Sequence, residues 1–339
     1  MSSPFVCRQC RERPALLMDL IRSGDLMRDR AETEYSGWFA AKLADISDEK
    51  SLQSMLRKMR NQEMVRIAWR DIAGWSELDQ TLLELSWLAD ACVESVFQFY
   101  FRALVQQYGL PRSLDHQPQS LVVLGMGKLG AFELNFSSDI DLIFAFPEDG
   151  ETDSGLPISN EEFFNRLGQK IVNSLSINTH EGFVFRVDMR LRPYGSDGPL
   201  ALSFDANEDY YQSQGREWER YAMIKARPVA GDLAAGDALL KMLRPFVFRR
   251  YLDYGVIAGL RDMKDMIEQQ LNRKGLTGNI KLGKGGIREI EFIGQTFQLV
   301  RGGRDTELQM RALQPLLRSL ALKGHLKKGV VEQRSESVV

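Results

Sequence analysis

A chain of 339 residues, 44% hydrophobic and 27% charged, can bury a sizeable core and is expected to hold two or three subdomains. Its 44 basic and 46 acidic side chains leave a net charge of −2, which argues against bulk nucleic-acid binding because that needs a basic footprint. No apolar run approaches the length of a membrane span, and MSSPFVCRQCRERP carries charges where a signal peptide has an apolar core. A cytoplasmic protein that engages no membrane is therefore expected.

Residues 1 to about 110 read as helical. Cys7-x-x-Cys10 lies in this stretch without the second Cys or His pair that a zinc site needs, and Cys92 stands alone, so neither a metal nor a disulfide framework is expected of the cysteines. Glu77–Tyr108 is the longest predicted helix. Leu78, Leu82, Leu85, Leu88, Cys92, Val96 and Phe99 fall at helical spacing, with Gly109 and Pro111 as the stop. Its aromatic stripe, Trp87, Phe97, Tyr100 and Phe101, is read as core rather than a base-stacking surface.

The run from Leu121 to Phe146, LVVLGMGKLGAFELNFSSDIDLIFAF, carries the chemistry. It reads as an apolar strand, a glycine-rich turn, a short helical segment and a second apolar strand opening with Asp139-Ile140-Asp141. Side chains two apart on a strand share a face, so Asp139 and Asp141 stand side by side. Their repulsion is the kind that a divalent cation with oxygen ligands offsets, and Mg²⁺ (or Mn²⁺) is expected. Gly125, Gly127 and Gly130 also satisfy G-x-G-x-x-G, the dinucleotide-binding pattern. That fold needs a crossover of a dozen residues or more before its next parallel strand, and only residues 131–138 separate the last glycine from the aspartates. The run also lacks the G-x-x-x-x-G-K-[ST] of a P-loop.

Downstream, residues 147–159 form a polar excursion and Glu161–Ser176 a helix covering the sheet. FVFRVDMRL, Phe183–Leu191, alternates cleanly. The pattern predicts a strand with Phe183, Phe185, Val187, Met189 and Leu191 on one face and Arg186, Asp188, Arg190 and Arg192 on the other. Asp188 would complete the metal site and the arginines would hold phosphate through their guanidinium forks. A salt-bridged polar face is the structural alternative.

The block from Arg216 to Arg227 mixes charge with aromatics. It reads either as an exposed helix laced with ion pairs or as a source of phosphate ligands in Arg216, Lys225 and Arg227. Amphipathic helices are predicted over 239–251 and 256–274. Gly283-Lys284-Gly285-Gly286 then opens onto a helix starting near Ile287, and a glycine loop at a helix N-terminus is an anion site, with Lys284 as its cation. Glu289 and Glu291 suit the first turn through the helix dipole alone. Periodicity fades after about Lys323.

Four blocks, GMGKLGAFELNFSSDIDLIF, GFVFRVDMRLRPYGSDGPL, YYQSQGREWERYAMIKARPV and IKLGKGGIREIEFI, resemble the bifunctional glutamine synthetase adenylyltransferase/adenylyl-removing enzymes of bacteria. The resemblance runs from about Val6 to Gly303. Those proteins are longer and carry two nucleotidyltransferase modules: the N-terminal one removes AMP from a tyrosine of glutamine synthetase by phosphorolysis, and the C-terminal one adds it from ATP. ELNFSSDIDLIF is similar to the removing module, so the chain is read as that half, shortened where a helical bundle normally continues. The resemblance implies an α+β fold, a polymerase-β-like nucleotidyltransferase domain over 116–230 between helical segments at 1–115 and 231–322, with an irregular tail at 323–339. It implies Asp139, Asp141 and Asp188 as catalytic metal ligands. Gly127, Lys128, Ser138, Arg190, Arg192, Lys225, Arg227 and Lys284 would bind nucleotide or phosphate. The implied partners are glutamine synthetase, a PII signal protein, ADP or ATP, and inorganic phosphate. Two alternatives stand beside this reading: a non-catalytic module that binds PII protein and glutamine synthetase, and ATP-dependent adenylylation by the same site.

Overall fold

The computed structural model describes residues 3–250 and 286–326. The described chain divides into two compact units. The first runs to Ala206 and adds Arg227–Asp237, while the second takes Asn207–Ala226 and the described residues from Ala238 onward. The division differs from the expected one, because the N-terminal helices and the sheet form a single unit and the block around Glu217 belongs with the later helices.

In the first unit, helices α1 (Pro4–Glu12), α2 (Pro14–Arg22), α3 (Glu32–Leu43), α4 (Glu49–Ile72) and α5 (Leu78–Tyr108) precede the sheet. The α5 helix buries Leu85, Leu88, Cys92, Val96, Phe97, Tyr100 and Leu104 and ends where Gly109 takes φ +84. Phe97 and Tyr100 are core, and Trp87 and Phe101 pack against it, as the stripe predicted. The helical layer also buries charge. Arg66 is fully enclosed by Glu63 at 2.9 Å, by Glu84, by the Tyr35 hydroxyl and by the Arg28 carbonyl. Arg66 is thereby satisfied, while Glu63 Oε1 accepts no hydrogen bond among the described residues and lies 3.6 Å from Arg30 Nη2.

A separate two-stranded antiparallel sheet pairs β1 (Pro111–Ser113) with β4 (Gly150–Thr152), so the polar excursion is partly structured. The main sheet has the order β5-β3-β2-β7, with β6 also on β3. Strand β2 (Val122–Gly125) lies antiparallel to β3 (Ile140–Phe146), Val123 facing Phe144 and Gly125 facing Leu142. This antiparallel pair is what the short connection required, and it excludes the βαβ reading of the glycines. Between them, α6 (Gly127–Gly130) is a single turn. Both strands are buried along their length apart from Asp141, with α7 (Asn160–Ser176) packing Phe163, Phe164, Leu167, Ile171 and Leu175 into the core. The Ser159 hydroxyl caps α7 by accepting from Glu162 N at 3.1 Å. Strand β7 (Arg227–Gly231) flanks β2 at the other edge, where Pro228 is tolerated beside a register shift.

The predicted long strand over Phe183–Leu191 is only β5, Val187–Asp188. Leu175 O accepts from both Val184 N and Phe185 N, so these two residues bond to the end of α7 and not to the sheet. After Asp188, the Arg190 amide turns back to the Asp188 carboxylate. The far end of β3 pairs instead with β6 (Ala201–Ser203).

The second unit contains most of α8 (Phe204–Ser213), α9 (Glu217–Met223), the later part of α10 (Leu233–Val247), α11 (Ile287–Arg301) and α12 (Leu313–Leu322). The block from Arg216 to Arg227, read either as an exposed helix laced with ion pairs or as a source of phosphate ligands, starts exposed at Arg216 and is buried from Glu219 onward apart from half-buried Tyr221 and Ala222. Arg220 is fully enclosed and donates to Phe246 O at 2.9 Å and Val247 O at 3.2 Å, and Tyr210 donates to Glu219 at 2.7 Å. Helix α11 starts where predicted, whereas the predicted helix over 256–274 and Lys284 lie outside the described residues. Among the described residues, no helix is long and apolar enough to cross a membrane.

Candidate active site

Asp141 sits on β3 opposite Asp188 on the parallel strand β5, as register partners. Asp139 immediately precedes β3, and the Met126 amide donates to Asp141 O at 2.9 Å, which ties the glycine turn to the start of the strand. Gly127 has φ +53, a conformation that favours glycine, and a Cβ there would lie 3.3 Å from Asp141 Oδ2. The turn thus brings bare backbone against the carboxylate. Lys128 follows in the same single turn. Ser138 closes the loop ahead of Asp139, its amide donating to Asn135 O at 3.0 Å and its hydroxyl accepting from Asn135 N at 3.4 Å.

Two arginines engage the outer acids. Arg186 Nε pairs with Asp139, and Arg186 Nη2 donates to Ser137 O at 2.6 Å. Arg190 grips Asp188 through Nε at 2.9–3.0 Å and Nη2 at 2.5 Å. These bonds hold the Asp188 carboxyl below the usual carboxylate range. Among the described residues, Asp141 has no such hydrogen-bonded partner. Burial, reinforced by the charges of Asp188 and Asp139, pushes it up to about 6.

Among the described residues, no group of three or more acidic, histidine or cysteine side chains closes around a single cation position. Asp139 and Asp188 are instead turned toward their arginines. The donor set nevertheless suits a hard divalent cation: oxygen ligands only, with a central carboxylate whose burial and acidic neighbours outweigh the charge of Arg190.

The other predicted ligands divide. Arg190 is exposed beside the aspartates and is available to an anion. Arg192 is not: it is buried and donates to Met189 O, Ser196 O, Gly198 O and Pro199 O, bracing the loop after β5. Its predicted place on the polar face depended on a strand that ends at Asp188. Arg227 is also buried. It pairs with Asp90 of α5 at 2.9 Å, donates to Leu129 O at 3.1 Å and stacks 3.7 Å over the Phe132 ring. This fixes the end of the glycine turn from behind. Lys225, in the second unit, pairs with Glu291 at 2.9 Å.

Asp90 was missed as a site-supporting residue, although it left a trace as a lone acid inside the apolar run Leu88-Ala89-Asp90-Ala91-Cys92. Arg186, read among the phosphate-holding arginines, instead pairs with Asp139.

Residues 1–242 match the glutamate-ammonia ligase adenylyltransferase family, and residues 261–338 match GlnD PII-uridylyltransferase. Curated relatives carry the name bifunctional glutamine synthetase adenylyltransferase/adenylyl-removing enzyme. One from Nitrosococcus oceani is 56% identical over 96% of this chain, and one from Pseudomonas putida is 54% identical over 99%. One from Shewanella loihica is 48% identical over 99% of the chain. These alignments cover 34–35% of the relatives, so the chain spans about a third of their length. A glycine turn laid against an aspartate pair, on a sheet within the matched residues, agrees with that match. The chain belongs to the glutamate-ammonia ligase adenylyltransferase family.

Proposed function

We propose that this chain is an adenylyl-removing nucleotidyltransferase, acting on glutamine synthetase that carries AMP on a tyrosine. Inorganic phosphate attacks the adenylyl phosphorus, the bond to the tyrosine oxygen breaks, and the products are ADP and free tyrosine, which takes up a proton. The observation that carries the reading is the pairing of Asp141 with Asp188 across parallel strands, with the Gly127 backbone against Asp141.

Asp139, Asp141 and Asp188 would hold Mg²⁺ or Mn²⁺, which supplies charge neutralisation at the phosphate oxygens and alignment of the attacking and leaving groups. The chain's own residues do the rest. Arg190, exposed beside Asp188, offers a two-pronged contact to the incoming phosphate. The open backbone at Gly127, with Lys128 beside it, lets phosphate oxygens approach the strand end. A tyrosine oxygen of pKa about 10 leaves without strong acid catalysis, so electrostatic stabilisation carries most of the work. The choice of removal over attachment rests on the likeness of ELNFSSDIDLIF to the removing module.

The test is to incubate AMP-modified glutamine synthetase with the chain, Mg²⁺ and labelled phosphate. Label in the β-position of ADP supports the reading. Efficient transfer from ATP to unmodified glutamine synthetase, with release of pyrophosphate, would reverse the direction.

A second reading is favoured by the arginine pairs on Asp139 and Asp188 and by the PII-uridylyltransferase match over 261–338. In it, the site is held closed and the chain binds a PII protein and glutamine synthetase as a regulatory module. No phosphate-dependent turnover in the presence of PII protein would favour it.

A further inference from the structure

Beside the aspartates, a cavity of about 490 Å³ lies between the N-terminal helices and the chain leading into β5. Four phenylalanines, Phe5, Phe136, Phe183 and Phe185, contribute to its wall. Arg60 of α4 also lines it and is only 9% exposed. Its guanidinium lies 5.5–5.8 Å from the centres of the Phe5, Phe183 and Phe185 rings. Among the described residues its one hydrogen bond runs from Nη1 to Asn61 Oδ1 at 3.0 Å, and its Nε is buried without a partner.

A buried charge is normally paired, because burial without a partner penalises the charged form. Arg60 has no carboxylate partner among the described residues. Burial pulls its pKa down to about 10, and the like charge of Arg186 pulls the same way. Two acids do lie on the cavity wall, but both are engaged elsewhere. Asp71 accepts from the Thr81 hydroxyl at 3.1 Å, and Glu181 stands 3.9 Å from Lys58. A second polar side chain on the wall, Gln9, is 5% exposed and holds an Oε1 with no donor.

We propose that this cavity binds a small planar organic anion, a carboxylate or a phosphate ester, as the missing counter-ion of Arg60. The anionic group meets the guanidinium and the planar body lies among the phenylalanines. Arg186 is common to this wall and to the Asp139 ion pair, so the bound anion sits next to the aspartate site without using its carboxylates.

The experiment titrates the chain calorimetrically, in EDTA, with benzoate, phenyl phosphate and, as the neutral control, benzamide. At least one anion is expected to bind 1:1, and the stronger of the two identifies the anionic group. Binding should weaken roughly tenfold or more in Arg60→Gln, the loss expected for a charge-assisted contact. Asp141→Asn should leave it unchanged, which separates this cavity from the metal site. In the unmodified chain, the methyl signals of Met64 and Ala68, both on the cavity wall, should shift on titration even if Arg60→Gln fails to fold. Absence of saturable binding by either anion, equal binding of benzamide, unchanged affinity in Arg60→Gln, or unshifted Met64 and Ala68 signals would each overturn the assignment.

Discussion

Asp141 and Asp188 are register partners on parallel strands, yet they carry opposite electrostatic histories. Arg190 draws Asp188 down while burial lifts Asp141 to about 6. Among the described residues the lifted member forms no ion pair, and its behaviour is open to measurement.

In the metal-free protein, Asp141 titrates at about 6 when folded and near 4 when unfolded. The folded chain therefore binds the extra proton between these values. The stability this represents is present below about pH 4 and is lost as pH rises through about 6. Asn at this position is neutral throughout. Asp141→Asn should accordingly stabilise the metal-free protein at pH 7.5 and not at pH 4, by on the order of 1 kcal/mol, while abolishing Mg²⁺-dependent turnover. Parallel melting curves for the two proteins across that range would refute it.

Arg190 and Arg192 should separate cleanly. Arg192→Ala removes four carbonyl contacts inside the loop after β5 and should cost roughly 2–4 kcal/mol in denaturant unfolding. Arg190→Ala, at an exposed position, should leave stability nearly unchanged. It should raise the phosphate concentration needed for half-maximal ADP formation.

Arg227→Met leaves the Asp90 carboxylate on α5, only 15% exposed, without its partner. Asp90 already stands at about 7 because burial outweighs the Arg227 charge. Removing that charge should destabilise the fold by roughly 3–5 kcal/mol. The added change Asp90→Asn should recover part of the loss, and a double-mutant cycle with no coupling would show that the pair does not act as a unit.

Gly127→Ala should cost on the order of 1 kcal/mol in stability through its left-handed backbone. Its effect on turnover should be larger than that, since the added methyl crowds Asp141 Oδ2. Rates that fall only in proportion to the folded fraction would remove Gly127 from the site.

How much of this was legible follows the range of each signal. Helices α5 and α7 and the strands β2 and β3 carry strong local periodicity, and their positions were readable, while the α+β class came from the resemblance of the four sequence blocks. Phe183–Leu191 has equally clean alternation, but alternation reports only local tendency. Leu175 O captures Val184 and Phe185, and the Asp188–Arg190 contact bends the chain after β5. With the strand cut short, the face assigned to Arg192 vanished. The Asp90–Arg227 pair spans 137 positions, a separation at which no pattern in one sequence marks a contact.

Helix α4 reaches further than a scaffold would. Arg57 donates to Ile177 O at 2.5 Å and Gly182 O at 2.7 Å, and Asn61 donates to Glu181 O at 3.2 Å. These carbonyls belong to the segment that delivers β5, whose own pairing to the sheet is two residues long. The third acid is thus held less by the sheet that displays it than by a helix encoded more than a hundred residues earlier. A fragment starting at Ser120 would lose both the α5 residues that share the sheet's core and the α4 contacts that hold the segment before Asp188. Chemistry and fold therefore cannot be cut apart at the boundary where the sheet begins.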